Sequence, residues 1–126
     1  MKKIIQIPNA PKPLGPYSQA VLIDDNILYV SGQIPLDPHS GNLNVPDIQT
    51  ATHQVLQNIK SLIETAGMTM SNITKCSIFL KDMDDFNEVN NVYGSYFSDL
   101  PPARETVQVS KLPLNVPIEI SCIAHR

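Results

Sequence analysis

Eleven prolines, gathered at a few joints, dictate where this chain can form regular structure. They fall at Pro8 to Pro16, Pro35 to Pro46, Pro101-Pro102 and Pro113 to Pro117. Proline donates no backbone hydrogen bond and fixes φ, so each cluster marks an irregular connection. Helices and strands are confined to the intervals between. Those intervals are short, and each has a readable period.

Ala20 to Ile23 and Ile27 to Ser31 read as two strands around a turn at Asp24-Asp25-Asn26. From Asp47 to Ala66, apolar residues recur at helical spacing (Ile48, Ala51, Val55, Ile59, Leu62, Ile63, Ala66), and Gly67 stands where a helix would stop. Ile73 to Leu80 alternates as a strand with Cys76, Ile78 and Leu80 on one face. Asp85 to Phe97 carries the stripe Phe86, Val89, Tyr93 and Phe97, which predicts a second helix with that stripe in the core. Arg104 to Val109 and Ile118 to Ala124 complete the strands. The order predicts an α+β protein of two layers, two helices packed on one face of a sheet.

Alternation assigns the late strands to faces. Val107 and Val109 oppose Arg104, Thr106 and Gln108, and Ile118, Ile120 and Cys122 oppose Glu119, Ser121 and Ile123. If the apolar sets meet the helices, Arg104 and Glu119 share the open face. Two helices cover only one face. A second copy of the chain is the simplest cover for the other, which predicts a homo-oligomer with its site at a subunit boundary.

At 126 residues the chain is read as one domain, 1–126, large enough for a hydrophobic core. A hydrophobic content of 42% with 17% charged residues excludes the disordered class. The net charge of −3 and nine scattered Lys and Arg argue against a general affinity for nucleic acid. No window reaches transmembrane length, and the apolar run after Met1-Lys2-Lys3 breaks too soon for a signal peptide. The expected compartment is the cytoplasm. Cys76 and Cys122 sit in apolar strands without a C-x-x-C, so they read as buried thiols. His39, His53 and His125 have no ligand spacing, and no metal site is expected. The acidic turn Asp82, Asp84, Asp85 lacks the glycine and closing glutamate of a calcium loop.

Two residues stand out chemically. Arg104 follows a Pro-Pro-Ala bend at the base of a strand, where its planar fork could grip a carboxylate or phosphate. Taken alone, an arginine there is more often a surface ion-pair partner. Glu119, between Ile118 and Ile120, is either a solvated strand residue or a carboxylate set for proton chemistry. Ser31 has no histidine at a recognisable triad spacing, which weakens a serine-nucleophile reading.

Several blocks together resemble one family. They are Gly15-Pro16-Tyr17-Ser18-Gln19-Ala20, Val30-Ser31-Gly32-Gln33-Ile34-Pro35, Phe86-Asn87-Glu88-Val89-Asn90 with Tyr93, Pro102-Ala103-Arg104 with Val107, Leu112-Pro113, and Ile118-Glu119-Ile120. In this order and spacing the chain resembles the RidA (YjgF-type) reactive-intermediate imine deaminases almost end to end. Glu105 departs from the pattern, where the family more often has a small residue.

The resemblance implies a chorismate-mutase-like fold with a mixed sheet. It also implies a homotrimer whose sheets form a central barrel, with clefts between subunits. The implied activity is hydrolysis of 2-imino or 2-enamino acids, such as 2-aminoacrylate, to 2-oxo acids and ammonia without cofactor or metal. Arg104 would hold the substrate carboxylate, Glu119 would handle water, and Tyr17 would line the cleft and donate a proton or hydrogen bond. Ser31, Gly32, Asn90 and the backbone carbonyl of Thr106 would complete the substrate contacts. Two other functions fit the same scaffold. One is a non-catalytic small-carboxylate binder, which has no chemical need for Glu119. The other is an RNA-directed inhibitor of translation, which the acidic balance and the lack of a basic-aromatic surface oppose.

Overall fold

The structure is a computed structural model that describes residues 1–126. Its strands are β1 (Lys2–Ile5), β2 (Ala20–Ile23), β3 (Ile27–Gln33), β4 (Ile73–Leu80), β5 (Ala103–Gln108) and β6 (Ile118–His125). Its helices are α1 (Ile48–Thr65) and α2 (Phe86–Tyr96). The strands form one sheet in the order β1-β2-β3-β6-β4-β5. All neighbours are antiparallel except β4 and β5, which run parallel, so the sheet is mixed. The α+β expectation holds, with both helices in one apolar cluster against one sheet face.

The limits of α1 follow from local chemistry. Asp47 caps its start, accepting from the Thr50 backbone N–H at 2.7 Å. Ala51, Val55, Leu56, Ile59, Leu62 and Ile63 are buried along one stripe. Gly67, at φ +79°, reverses the chain: its N–H bonds Glu64 O and the Met68 N–H bonds Ile63 O. This glycine-led pair of bonds satisfies carbonyls that the helix end leaves without partners. The Arg126 guanidinium then donates to the Ala66 and Gly67 carbonyls, each at 3.1 Å.

Two expectations need correction. β1 is a strand, although Met1 to Pro8 reads as a broken apolar run. It is an edge strand that buries only Ile5 and carries two lysines, so its own pattern is weak and its pairing with β2 makes it a strand. The second correction concerns β5, whose faces are opposite to those expected. Arg104 pairs in register with the core residue Cys76 and lies on the helix side, while Val107 is 42% exposed on the open face. A strand has period two, so one misassigned residue exchanges its faces. Here the apolar pair Val107 and Val109 misled, because an edge strand under the start of α2 is not required to bury valine inward.

The open face carries Val21, Ile23, Tyr29, Phe79, Val107 and Ile123, assigned by alternation with the buried residues of their strands. Glu105 is also there. Its carboxylate meets the Ser77 hydroxyl and pairs with Lys75 at 2.9 Å, and these contacts hold it below the usual glutamate range. The departing residue thus faces away from Arg104, as alternation requires.

Cys76 and Cys122 are directly opposite partners on β4 and β6, both free and buried. Burial pushes both thiols up, away from the reactive thiolate. Iodoacetamide is therefore expected to label neither in the folded protein and both in denaturant. Stoichiometric labelling under native conditions would contradict this packing.

Candidate functional site

The residues singled out above fall into two groups on opposite sides of the sheet. The first lines a cleft of about 410 Å³ beside the end of β3. It contains Tyr17, Ser31, Gly32 and Glu119, walled by Leu14, Ile34, Pro113 and Leu114. Gly32 sits at an irregularity in the β3–β6 pairing, where the register shifts between Val30 and Gln33. That shift brings bare backbone against Glu119. A Cβ at position 32 would lie 2.4 Å from Glu119 Oε2 and 2.6 Å from its Cδ.

Ser31 is anchored. Its hydroxyl donates to the Ser18 carbonyl at 2.6 Å and its N–H to the Gln19 carbonyl at 2.9 Å. These bonds tie the segment carrying Tyr17 to the floor of the cleft, and Tyr17 itself is 52% exposed. Leu114 adopts φ +54°, a left-handed conformation rare for a leucine, and its side chain is exposed at the cleft wall.

Glu119 has no charged partner, and burial alone raises its pKa above the ordinary value of 4.5. The folded protein then holds this proton more tightly than the unfolded chain does. The stability contributed by the protonated acid is full at low pH and is lost as pH rises through the folded pKa. Glu119→Gln is therefore expected to raise the melting temperature near neutrality and to leave it unchanged at about pH 3.5. An equal shift at both pH values would mean that burial does not disfavour the charged carboxylate.

The second group surrounds Arg104, on the helix side at the sheet edge. Arg104 Nη1 donates to Asn90 Oδ1 at 2.8 Å. The guanidinium carbon lies 4.9 Å from the Tyr93 ring centre and 5.7 Å from that of Phe86. No carboxylate pairs with it: the ion pairs of the chain are Met1 with Asp24, Lys75 with Glu105, and Arg126 with Asp25. Thr106, two residues along the same face, has a buried hydroxyl without a hydrogen-bond partner. A half-buried cation with no counter-ion leaves its fork free to accept an anion.

Arg104 and Glu119 therefore do not share a face. β4 lies between their strands, and each side chain points away from the other's layer. The expectation that alternation unites them on the open face fails through the inverted β5. Arg104, Asn90 and Thr106 come together; Glu119, Tyr17, Ser31 and Gly32 come together. The stripe carrying Phe86 and Tyr93 predicts only a core role for them. The signal that places them beside Arg104 is their spacing with Asn90, at i, i+4 and i+7 of one helix. No group of three or more His, Cys, Asp or Glu side chains converges as a metal site.

Known proteins match this architecture closely. The family described as Endoribonuclease L-PSP matches residues 7–126. A RutC family protein of Pyrococcus horikoshii is 48% identical over all of this chain and 99% of its own length. A human protein named 2-iminobutanoate/2-iminopropanoate deaminase is 41% identical over 98% of this chain and 90% of its own. The crystal structure of Escherichia coli TdcF with bound serine superposes with a TM-score of 0.92 at 37% identity, covering 98% of each chain.

Proposed function

This chain belongs to the endoribonuclease L-PSP family, also called YjgF or RidA, and from that premise we propose that it is an imine deaminase. Its substrates are small 2-imino or 2-enamino acids, and its products are 2-oxo acids and ammonia. The observation that carries this reading is Arg104: a guanidinium hydrogen-bonded to a neutral amide beside two rings, with no acid pairing its charge. Such a fork fits the carboxylate next to the C=N bond.

The two residue groups meet only if a second copy is supplied. We therefore propose a homotrimer whose apolar open faces form the interior and whose clefts join Arg104 of one copy to Glu119 of the next. The exposed side chains of Ile4, Tyr29 and Val107 on this face support its burial. Light scattering is expected to give three times the 13.9 kDa of one chain. A concentration-independent mass of one chain would refute the shared cleft.

Within that cleft Arg104 fixes the carboxylate, and with it the plane of the imine. Asn90 orients the guanidinium, and the backbone carbonyl of Thr106 helps orient the attacking water. Glu119 takes a proton from that water as its oxygen bonds to C2 of the protonated imine. The resulting carbinolamine carries both hydroxyl and amine on C2. Glu119 returns that proton to the amine while Tyr17 donates a hydrogen bond; the C–N bond breaks as the hydroxyl oxygen becomes the carbonyl, and the hydroxyl proton passes through Glu119 to the departing ammonia, leaving ammonium and the 2-oxo acid. Ser31 and the Gly32 amide line the path. Atoms balance with one water consumed, and the raised pKa of Glu119 suits a group that must both take and return a proton.

The test is a coupled assay. A serine or threonine dehydratase generates 2-aminoacrylate, semicarbazide traps it, and this protein should suppress the adduct. Suppression that disappears in Glu119→Gln supports hydrolysis. Binding of 2-oxobutanoate without any suppression would instead make the protein a carboxylate binder.

A further inference from the structure

We propose that Phe86 and Tyr93 are positioning residues that hold the Arg104 guanidinium in a fixed plane, an inference that rests on Arg104 being the carboxylate anchor. An arginine side chain is long and flexible, and a fork is useful only when its plane is set before the ligand arrives. Proteins commonly set it with an aspartate or glutamate. That solution would neutralise the charge and compete with an incoming carboxylate.

Here α2 offers three neutral contacts at i, i+4 and i+7. Asn90 accepts one N–H at 2.8 Å, and the rings of Tyr93 and Phe86 lie 4.9 and 5.7 Å from the guanidinium carbon. Both distances are within the roughly 6 Å reach of a cation–π contact. The other donors of the fork have no protein acceptor and remain for a ligand.

Tyr93 is the stiffer support. It is 6% exposed, and its ring packs against Phe97 with centres 4.6 Å apart. Its hydroxyl lies beside the Cys76 thiol and makes no hydrogen bond to Arg104, so the ring face is the part that serves Arg104.

The test uses the full chain and 2-oxobutanoate as the probe, with Kd and stoichiometry read by calorimetry. Tyr93→Leu, which removes the ring, is expected to raise Kd about tenfold. Tyr93→Phe should stay within about twofold, because the quadrupole of the ring survives. A purely structural role would lower the folded fraction, and hence the stoichiometry, while Kd of the folded molecules stayed at the wild-type value. That result, in a Tyr93→Leu protein of native circular dichroism, overturns the proposal. If Tyr93→Leu does not fold, Phe86→Leu at the half-buried start of α2 decides instead, with an expected rise of about threefold and an unchanged Kd as the overturning result. Arg104→Ala is measured alongside. Should it bind as wild type, Arg104 is not the anchor, and the anchor reading falls together with this inference. Should it lose binding while the decisive leucine variant does not, only this inference falls.

Discussion

Arg104→Ala is expected to lose 2-oxo acid binding and imine hydrolysis by about a hundredfold or more, with its melting temperature close to wild type. The reason is local. A bidentate, charge-assisted pair contributes up to about 3 kcal/mol, and nothing else near Arg104 can replace its charge. The neighbours left behind are an amide, two rings and a threonine hydroxyl, all neutral. Arg104 makes no ion pair whose loss would expose a buried carboxylate, so the fold is not penalised in that way. Arg104→Lys should fail nearly as badly, since an ammonium supplies charge without the planar fork. Near wild-type turnover in either variant, in the semicarbazide assay, would remove Arg104 from the chemistry.

Gly32→Ala should separate function from stability even more sharply. The added methyl would fall 2.4 Å from Glu119 Oε2 and 3.0 Å from its Cγ, so the carboxylate must swing away. A glutamate end can swing at little cost to the fold. Alanine also reduces the freedom of the unfolded chain, which favours the folded state by about 0.4–1 kcal/mol where the backbone accepts it. Gly32 does not need the left-handed region, so the backbone accepts it. Catalysis has no such tolerance: a displacement of about 1 Å at a reacting group can cost about a hundredfold. The expected variant is stable and nearly inactive, with a much smaller change in Kd for 2-oxobutanoate. Full activity would mean that Glu119 does not work from the position it occupies here.

How far the sequence could be read depended on how strongly each segment was buried. α1 was legible because one apolar stripe, an aspartate cap and Gly67 all agree on its limits. β4 and β6 were legible because Cys76, Ile78, Ile118 and Ile120 are buried on one face and alternate without a break. β1 and β5 are edge strands, where burial constrains little. Their structure comes from pairing, which a local pattern does not encode. The same weakness concealed the site's geometry. Arg104 and Glu119 were identifiable as residues, but the face that each one uses was not, because Arg104 lies on the strand whose alternation misleads. The cage around Arg104 was hidden for a different reason. Phe86 and Tyr93 carry a helical core stripe, and a ring serves core packing and a cation with the same face pattern.

The placement of Arg104 and Glu119 on opposite sides of the sheet has a consequence for inheritance. In a shared cleft, one copy contributes the arginine and its neighbour the glutamate. If the proposed trimer forms, a cell with one allele lacking Arg104 and another lacking Glu119 would build mixed trimers in which some clefts pair an intact arginine with an intact glutamate. Under random assembly from equal amounts, that is about a quarter of them. Two alleles each null alone would then complement one another. Alleles altered at Gly32 and Glu119 would not, because both lesions damage the same half of every cleft.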